Sequence, residues 1–341
     1  MKILPVDNSY RAFCDLVSGY RLFRVMSEAV NCGVIDLLED GAMSSGELLT
    51  ALAMEPAAGR RFIDLLVNVG LLEGDDSRLQ LSRFSSTFLN RTSTSSQRQV
   101  LAFEPLLMEN WNRLGTVLYK GQGALLGEQT PKECQQRLDR FQQAMGETAA
   151  VRSPELWDAL PPLPDKGIII DIGAGAGVYL REFLCRHPGW QGVACDLADV
   201  CARMAGASLP ANLTPYPCNI LDAGELAILA NRYRGRADLL LFSNICHCYA
   251  PEENRAMLLR TLPLLAPKGL LVIHDFFRDA NSYGALYDLH MLVNTYNGRS
   301  YTIAETTALL ADAGLPHHTV LELPSASLAI VASHTTPLTD I

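Results

Sequence analysis

Two aspartates and a run of glycines are the first residues in this chain whose types and spacing suggest chemistry. Residues 170–177 read Ile-Asp-Ile-Gly-Ala-Gly-Ala-Gly. Glycines at 173, 175 and 177 let the backbone turn tightly and approach a ligand closely. The run follows an apolar stretch at 167–172 and opens a helical pattern at 178–186, which is where a glycine loop holds a nucleotide-like ligand. Asp196 follows Asp171 by 25 residues and ends the next apolar strand, 191–197. A carboxylate there can accept both hydroxyls of a ribose. The acid ahead of the first glycine separates two cofactors. Dinucleotide fingerprints lead with glycine, whereas an aspartate repels a diphosphate and attracts a cation. S-adenosylmethionine has no phosphate and carries an ammonium, so Asp171 favours it over NAD. Cys246-His247-Cys248 invites a metal reading. The spacing is tight for tetrahedral zinc and no second pair stands nearby, so no metal is expected.

The surrounding pattern predicts a parallel α/β sheet from residue 161 onward. The proline cluster at 161–164 marks a boundary. Strands at 167–172, 191–197, 238–243 and 270–274 alternate with helices at 178–186 and 251–265. This doubly wound, mostly parallel arrangement gathers ligands at the strands' C-terminal ends. Residues 1–100 read differently. Apolar residues over 11–38 keep helical spacing, Ser44 to Glu47 form a capping box, a helix follows at 57–69, and short strands flank a Gly-Asp turn near 74–76. That outline is a winged helix. Residues 101–160 form a helical linker with stretches at 100–119 and 135–160, separated by a glycine-rich segment at 121–127.

Composition narrows the classes. The 341 residues are 48% hydrophobic and 19% charged, with net charge −9, so a sizeable core is expected and disorder is not. Residues 1–100 hold ten Lys and Arg against twelve Asp and Glu, with Arg60-Arg61 the only basic pair. A groove reader would be basic, so nucleic acid is not an expected partner. No apolar run is long enough to span a membrane. Nine scattered cysteines and the lack of a leader-like apolar start point to a reducing cytoplasm.

Taken whole, the chain resembles the class I S-adenosylmethionine-dependent methyltransferases. In particular it resembles the small-molecule O-methyltransferases with an N-terminal winged-helix dimerisation domain, the group of the caffeic acid, hydroxyindole and antibiotic-tailoring enzymes. The resemblance covers residues 10–333. It implies that Gly173 and Gly175, with Asp171 nearby, hold the methionine end of the cofactor. It implies that Asp196, beside Leu197, holds the ribose, that Asn219 and Ile220 meet the adenine, and that Ser243 belongs to the same site. The family has an aspartate where Asn219 stands, and Asp222 is the alternative acid. Residues 242–249 match the segment that carries the family's general base, which makes His247 the base, with Cys248 and Tyr249 in place of Asp-Trp. A phenol titrates near 10 and a histidine near 6.5, so a neutral imidazole can take the hydroxyl proton during attack. Asp275 would orient His247. The second acid of the family should fall at Ser300, where serine stands instead.

The same resemblance places substrate walls at Met108 and Trp111, at Phe141 and Met145, and at His290, Met291 and Asn294. The product cofactor would be S-adenosylhomocysteine, and direct methyl transfer needs no metal. A homodimer through the first domain is implied, with Phe13, Leu16 and Leu22 among the contacts. Two alternatives stay open: methylation of nitrogen or carbon on the same fold, and a non-catalytic regulator that binds the cofactor or a small molecule.

Overall fold

The computed structural model describes residues 9–121, 130–206 and 208–334. Apart from Gly121, the glycine-rich segment at 121–127 lies outside the described residues. Among these residues one compact unit comprises 9–105 and 136–148, and a second comprises 106–121, 130–135 and 149–334.

The first unit opens with α1 (Tyr10–Asn31), capped by the Ser9 side chain. The apolar pattern over 11–38 is not one helix. It breaks at Gly33, whose φ of 90° continues no right-handed turn, and resumes as α2 (Val34–Glu39). Ser44 and Glu47 form the capping box of α3 (Ser45–Ala51), and α4 (Pro56–Asn68) starts on a proline with Glu55 as cap. β1 (Leu72–Asp75) and β2 (Arg78–Leu81) pair antiparallel as the wing, and α5 (Arg83–Phe88) follows. Ile35, Leu48, Ile63, Leu66, Leu72 and Leu79 fill its core.

The helix expected over 100–119 is two helices, α6 (Arg98–Trp111) and α7 (Leu114–Lys120). Asn112, a weak helix former, lies in the break, and Gly115 in the first turn after it. α8 (Pro131–Ala159) begins with a second capping box, Thr130 with Glu133.

The second unit holds a seven-stranded sheet. In chain order come β3 (Ile168–Ile172), α9 (Val178–Arg186), β4 (Gln191–Asp196), α10 (Ala198–Ala205), β5 (Leu213–Pro217), α11 (Ala223–Tyr233) and β6 (Ala237–Ser243). Then come α12 (Pro251–Thr261), β7 (Leu265–Asp275), α13 (Ser282–Asn294), α14 (Ile303–Asp312), β8 (His317–Glu322) and β9 (Leu328–Ser333). α12 stops short of 265 because Pro263 imposes a 3-10 turn. The spatial order is β5-β4-β3-β6-β7-β9-β8, parallel except that β9 runs antiparallel to both neighbours. Ile170, Ile172, Leu240, Phe242, Leu271 and Ile273 bury one face, and Ile169, Leu239, Leu241 and Val272 bury the other. β3 and β6 lie side by side where the order reverses, and a crevice opens beyond their C-terminal ends at such a point.

Candidate active site

The glycine loop leaves β3 with three residues in the left-handed region, Gly173 at φ 79°, Gly175 at 55° and Gly177 at 70°. Side chains avoid these angles, so glycine is required. A Cβ on Gly173 would press on Ile245 and one on Gly177 would press on Met204, whereas one on Gly175 would meet open space. The loop is pinned to β4. The N–H groups of Gly173 and Ala174 donate to the Cys195 carbonyl. The N–H of Gly175 donates to Asp196 Oδ2 and that of Leu197 to Asp196 Oδ1, both at 2.7 Å. Burial raises the Asp196 carboxyl and these two donors lower it, with a net rise.

Asp171 is 1% exposed and its Oδ1 has no hydrogen-bond partner. Burial, then the charge of Asp196, pushes this carboxyl up to about 8. Asn244, at φ 53°, follows β6. Its Nδ2 donates to Tyr179 Oη at 3.3 Å and to Ser243 Oγ at 3.0 Å, while its buried Oδ1 is unpartnered. Ser243 Oγ lies 3.0 Å from His274 Nδ1, and His274 Nε2 lies 2.9 Å from Ser327 Oγ. Burial, then the charge of Arg152, pushes His274 down to about 3, so the ring is neutral. The half-buried Arg152 stacks on the Phe276 ring at 4.5 Å and interacts electrostatically with Tyr179, as Asp171 does.

His247 sits in a single 3-10 turn, 246–248, just past β6. Its Nδ1 lies 2.6 Å from Asp275 Oδ1, and both residues are about 5% exposed or less. The His247 N–H donates to Asp275 Oδ2 at 3.3 Å, and the Phe276 N–H to Oδ1 at 2.8 Å. Neighbours in a strand face opposite ways, so Asp275 meets His247 while His274 joins the serines. Burial alone would lower His247. The Asp275 carboxylate, with smaller contributions from Tyr287 and Cys248, outweighs it and holds the ring well above its ordinary value. Nε2 is left for a ligand, and Tyr287 Oη stands 3.4 Å from it. Ser300 is fully buried beneath this region; its N–H donates to Asp288 Oδ1 and its Oγ is unpartnered.

His290, Met291 and Asn294 lie on α13, and Met108 and Trp111 on α6. Trp111 Nε1 donates to His290 Nδ1 at 3.2 Å, and Asn110 Nδ2 to Asn294 Oδ1 at 2.9 Å. Burial, then the charge of His247, pushes His290 down to about 4. A neutral ring that accepts at Nδ1 carries its proton on Nε2. Met108 is partly buried and Met291 is 5% exposed. Phe141 and Met145 belong to the first unit, 44% and 39% exposed, with Phe141 edge-on to Phe103. Asn219 is exposed, its Oδ1 accepting the Leu221 N–H, and Ile220 is buried beside it. Asp222 Oδ1 caps α11 by accepting from the N–H groups of Gly224 and Glu225.

Sequence reasoning passed over Arg152, Tyr179, Asn244 and Tyr287. Tyr287 had a signal, since it precedes His290, Met291 and Asn294 by three, four and seven residues on one helix face. Arg152 and Tyr179 had none, because only the folded chain brings them together. Among the described residues no group of three His, Cys, Asp or Glu side chains could hold a metal ion, and no helix is long and apolar enough to cross a membrane.

The profile of the O-methyltransferase domain matches residues 123–316, and that of the O-methyltransferase dimerisation domain matches residues 14–91. Over 150 residues the chain is 34% identical to the 3-hydroxy-5-methyl-1-naphthoate 3-O-methyltransferase of Streptomyces sahachiroi, a match covering 43% of this chain and 42% of that protein. It is 25% identical over 298 residues to the N,N-dimethyltransferase OxyT of Streptomyces rimosus, 81% of each chain. The crystal structure of human N-acetylserotonin methyltransferase in complex with SAM superposes with a TM-score of 0.82 at 21% identity, over 97% of this chain and 99% of that one.

Proposed function

Since the chain belongs to the O-methyltransferase family, we propose that it transfers the methyl group of S-adenosylmethionine to a hydroxyl of a small aromatic metabolite, with His247 as general base and Asp275 as its orienting partner. The observation that carries this reading is the 2.6 Å contact between His247 Nδ1 and Asp275, which leaves Nε2 as the base atom. The bound cofactor would supply an electrophilic sulfonium methyl.

The residues present fit that cofactor. Asp171 offers an unpartnered buried oxygen to its ammonium, and Arg152 offers a guanidinium to its carboxylate. Asp196 keeps lone pairs for the ribose beside its two backbone donors, and Gly175 gives the close approach. Asn219 and Ile220 take the adenine edge and face. Asn244 Oδ1 is a second unpartnered acceptor beside the same loop.

His247 takes the hydroxyl proton at Nε2 as the oxygen attacks. Asp275 holds the proton-bearing Nδ1 in place and stabilises the imidazolium that forms, as in other histidine–carboxylate pairs. Tyr287, pushed up to about 12 chiefly by burial, keeps its own proton. His290 presents Nε2–H, so the acceptor would carry a carbonyl or ether oxygen near its reacting hydroxyl. Met108, Trp111, Met291 and Asn294 would complete the walls, and the protein would act as a homodimer.

His247→Ala should lower turnover of a small phenol by roughly 10²–10⁴ while affinity for S-adenosylhomocysteine stays unchanged; equal turnover would remove His247 from the mechanism. Asp196→Ala should weaken cofactor binding by about 1–3 kcal/mol, read by calorimetry. The likeness to an N,N-dimethyltransferase favours an amine acceptor as the second reading. It predicts full methyl transfer to an amine by His247→Ala.

A further inference from the structure

Behind the His247 turn, on the side away from Tyr287, α12 and α14 stand apart over the sheet. Between them lies a cavity of about 360 Å³, within the range of small-molecule sites. Phe242, Met257, Leu258, Ile273 and Leu309 make its walls. Its polar lining is Asn254, Tyr301, the Cys246 thiol and Thr306, whose hydroxyl donates to the Thr302 carbonyl. Burial, first of several causes, raises that thiol far above its ordinary value, so it is a neutral S–H and not a nucleophile.

Asn254 is 4% exposed. Both protons of its amide are used: Nδ2 donates to the Cys246 carbonyl at 2.8 Å and to the Tyr249 carbonyl at 3.2 Å. Its Oδ1 is buried with no hydrogen-bond partner. Tyr301 does not serve it, because the Tyr301 hydroxyl donates to the Tyr249 carbonyl at 2.5 Å. A buried acceptor left alone is costly; its residue lines an apolar cavity, and a donor there reaches Oδ1 once the amide turns toward it. At the mouth stand Glu252, Glu305 and Asp312 against Arg255. Glu305 is already held by Arg278 and Arg299. The remaining carboxylates disfavour an anion, and the apolar walls disfavour any charge.

We propose that this cavity is a second small-molecule site, separate from the methyl-transfer site, for a neutral, flat, apolar molecule with one N–H or O–H that donates to Asn254 Oδ1. Occupancy is felt at the base. Asn254 ties down the two carbonyls that flank His247 and Cys248, and Cys246 forms part of the cavity's lining. A ligand that engages Asn254 therefore braces or shifts the turn from behind, without touching Nε2.

Indole and benzofuran are matched probes, alike in shape but differing in the N–H. Calorimetry on the whole protein saturated with S-adenosylhomocysteine should show indole binding at one site, at least tenfold tighter than benzofuran. Leu309→Trp fills the cavity from α14 and should weaken indole at least tenfold while affinity for S-adenosylhomocysteine stays unchanged. Ala308→Trp, at the exposed edge of the same helix, is the second filler should the first not fold. In wild type, indole should also move the downfield proton resonance of the His247–Asp275 bond, and in the filled variants it should not. Equal affinity for the two probes, indole binding that survives both fillers, or no binding at millimolar indole would overturn the site. A bound indole that leaves the His247 resonance in place would overturn the coupling.

Discussion

Two ionisable residues govern how this molecule should respond to pH. Asp171, pushed up to about 8, is mostly protonated at neutral pH. A cofactor ammonium against its free oxygen favours the ionised form, so binding should release a proton. Calorimetry at pH 7 in buffers of differing ionisation enthalpy should show release approaching one proton, absent in Asp171→Asn. The same carboxyl is an unfolded-state acid near 3.9. Its contribution to stability is therefore full below about pH 4 and fades as pH rises through about 8. Asp171→Asn should consequently raise the melting temperature at pH 8 more than at pH 5. On the proposed mechanism His247 behaves oppositely, because only its neutral form accepts a proton. With its folded value held up by Asp275, the acid limb of kcat/KM should lie above pH 6.5, and Asp275→Asn should move it down. Asp171 and His247 were legible in the sequence because each sits inside a short, distinctive run. Arg152 was not, since the groups it faces are dozens of residues away.

Elements set the precision of these contacts. The turn that carries His247 rests on Gly298: the Arg299 N–H donates to the His247 carbonyl at 2.9 Å, and a Cβ on Gly298 would lie 2.5 Å from that same carbonyl oxygen. Gly298→Ala should lower kcat for a phenol by tenfold or more and leave affinity for S-adenosylhomocysteine unaffected, since the glycine loop is on another strand. Gly173→Ala should do the reverse. It costs about 1–2 kcal/mol for the left-handed backbone, expressed as weaker cofactor binding with little change in the pH profile. Capping boxes at Ser44 and Thr130, the hairpin and the alternating apolar strands are local signals, and the first box, the hairpin and four strands were readable. The break of α1 from α2 hangs on one glycine's φ. The antiparallel pair β8 and β9 closes on β7 only through pairing of residues as far apart as Leu271 and Ala332, which no window of sequence displays.

At the scale of the molecule, α1 carries a run of exposed apolar side chains. Tyr10, Phe13, Val17 and Tyr20 are 79%, 59%, 47% and 59% exposed, joined by Leu16 and Leu22. Exposed apolar area of this extent on one helix marks an interface, and residues 14–91 match a dimerisation domain. A double substitution, Phe13→Asp with Tyr20→Asp, should convert the homodimer into a monomer by light scattering while the melting of the second unit is little changed. The net charge of −9 belongs to this scale too. Ion pairs such as Arg98 with Asp36 at 2.7 Å spend basic residues inside the first unit.

The row of buried polar groups from Asn244 to Ser327 has a direction. An amide nitrogen can only donate, so Ser243 Oγ receives from Asn244 and keeps its own proton to give to His274 Nδ1. His274, neutral, then carries hydrogen on Nε2 and passes it to Ser327, whose hydroxyl turns to Ser325 at 3.0 Å. One amide thus favours one direction for a file that crosses β6 and β7. Replacing Asn244 by Asp would present an acceptor at the head of the file and reverse it. Nitrogen chemical shifts should then report the opposite tautomer of His274, whose ring does not touch the altered residue.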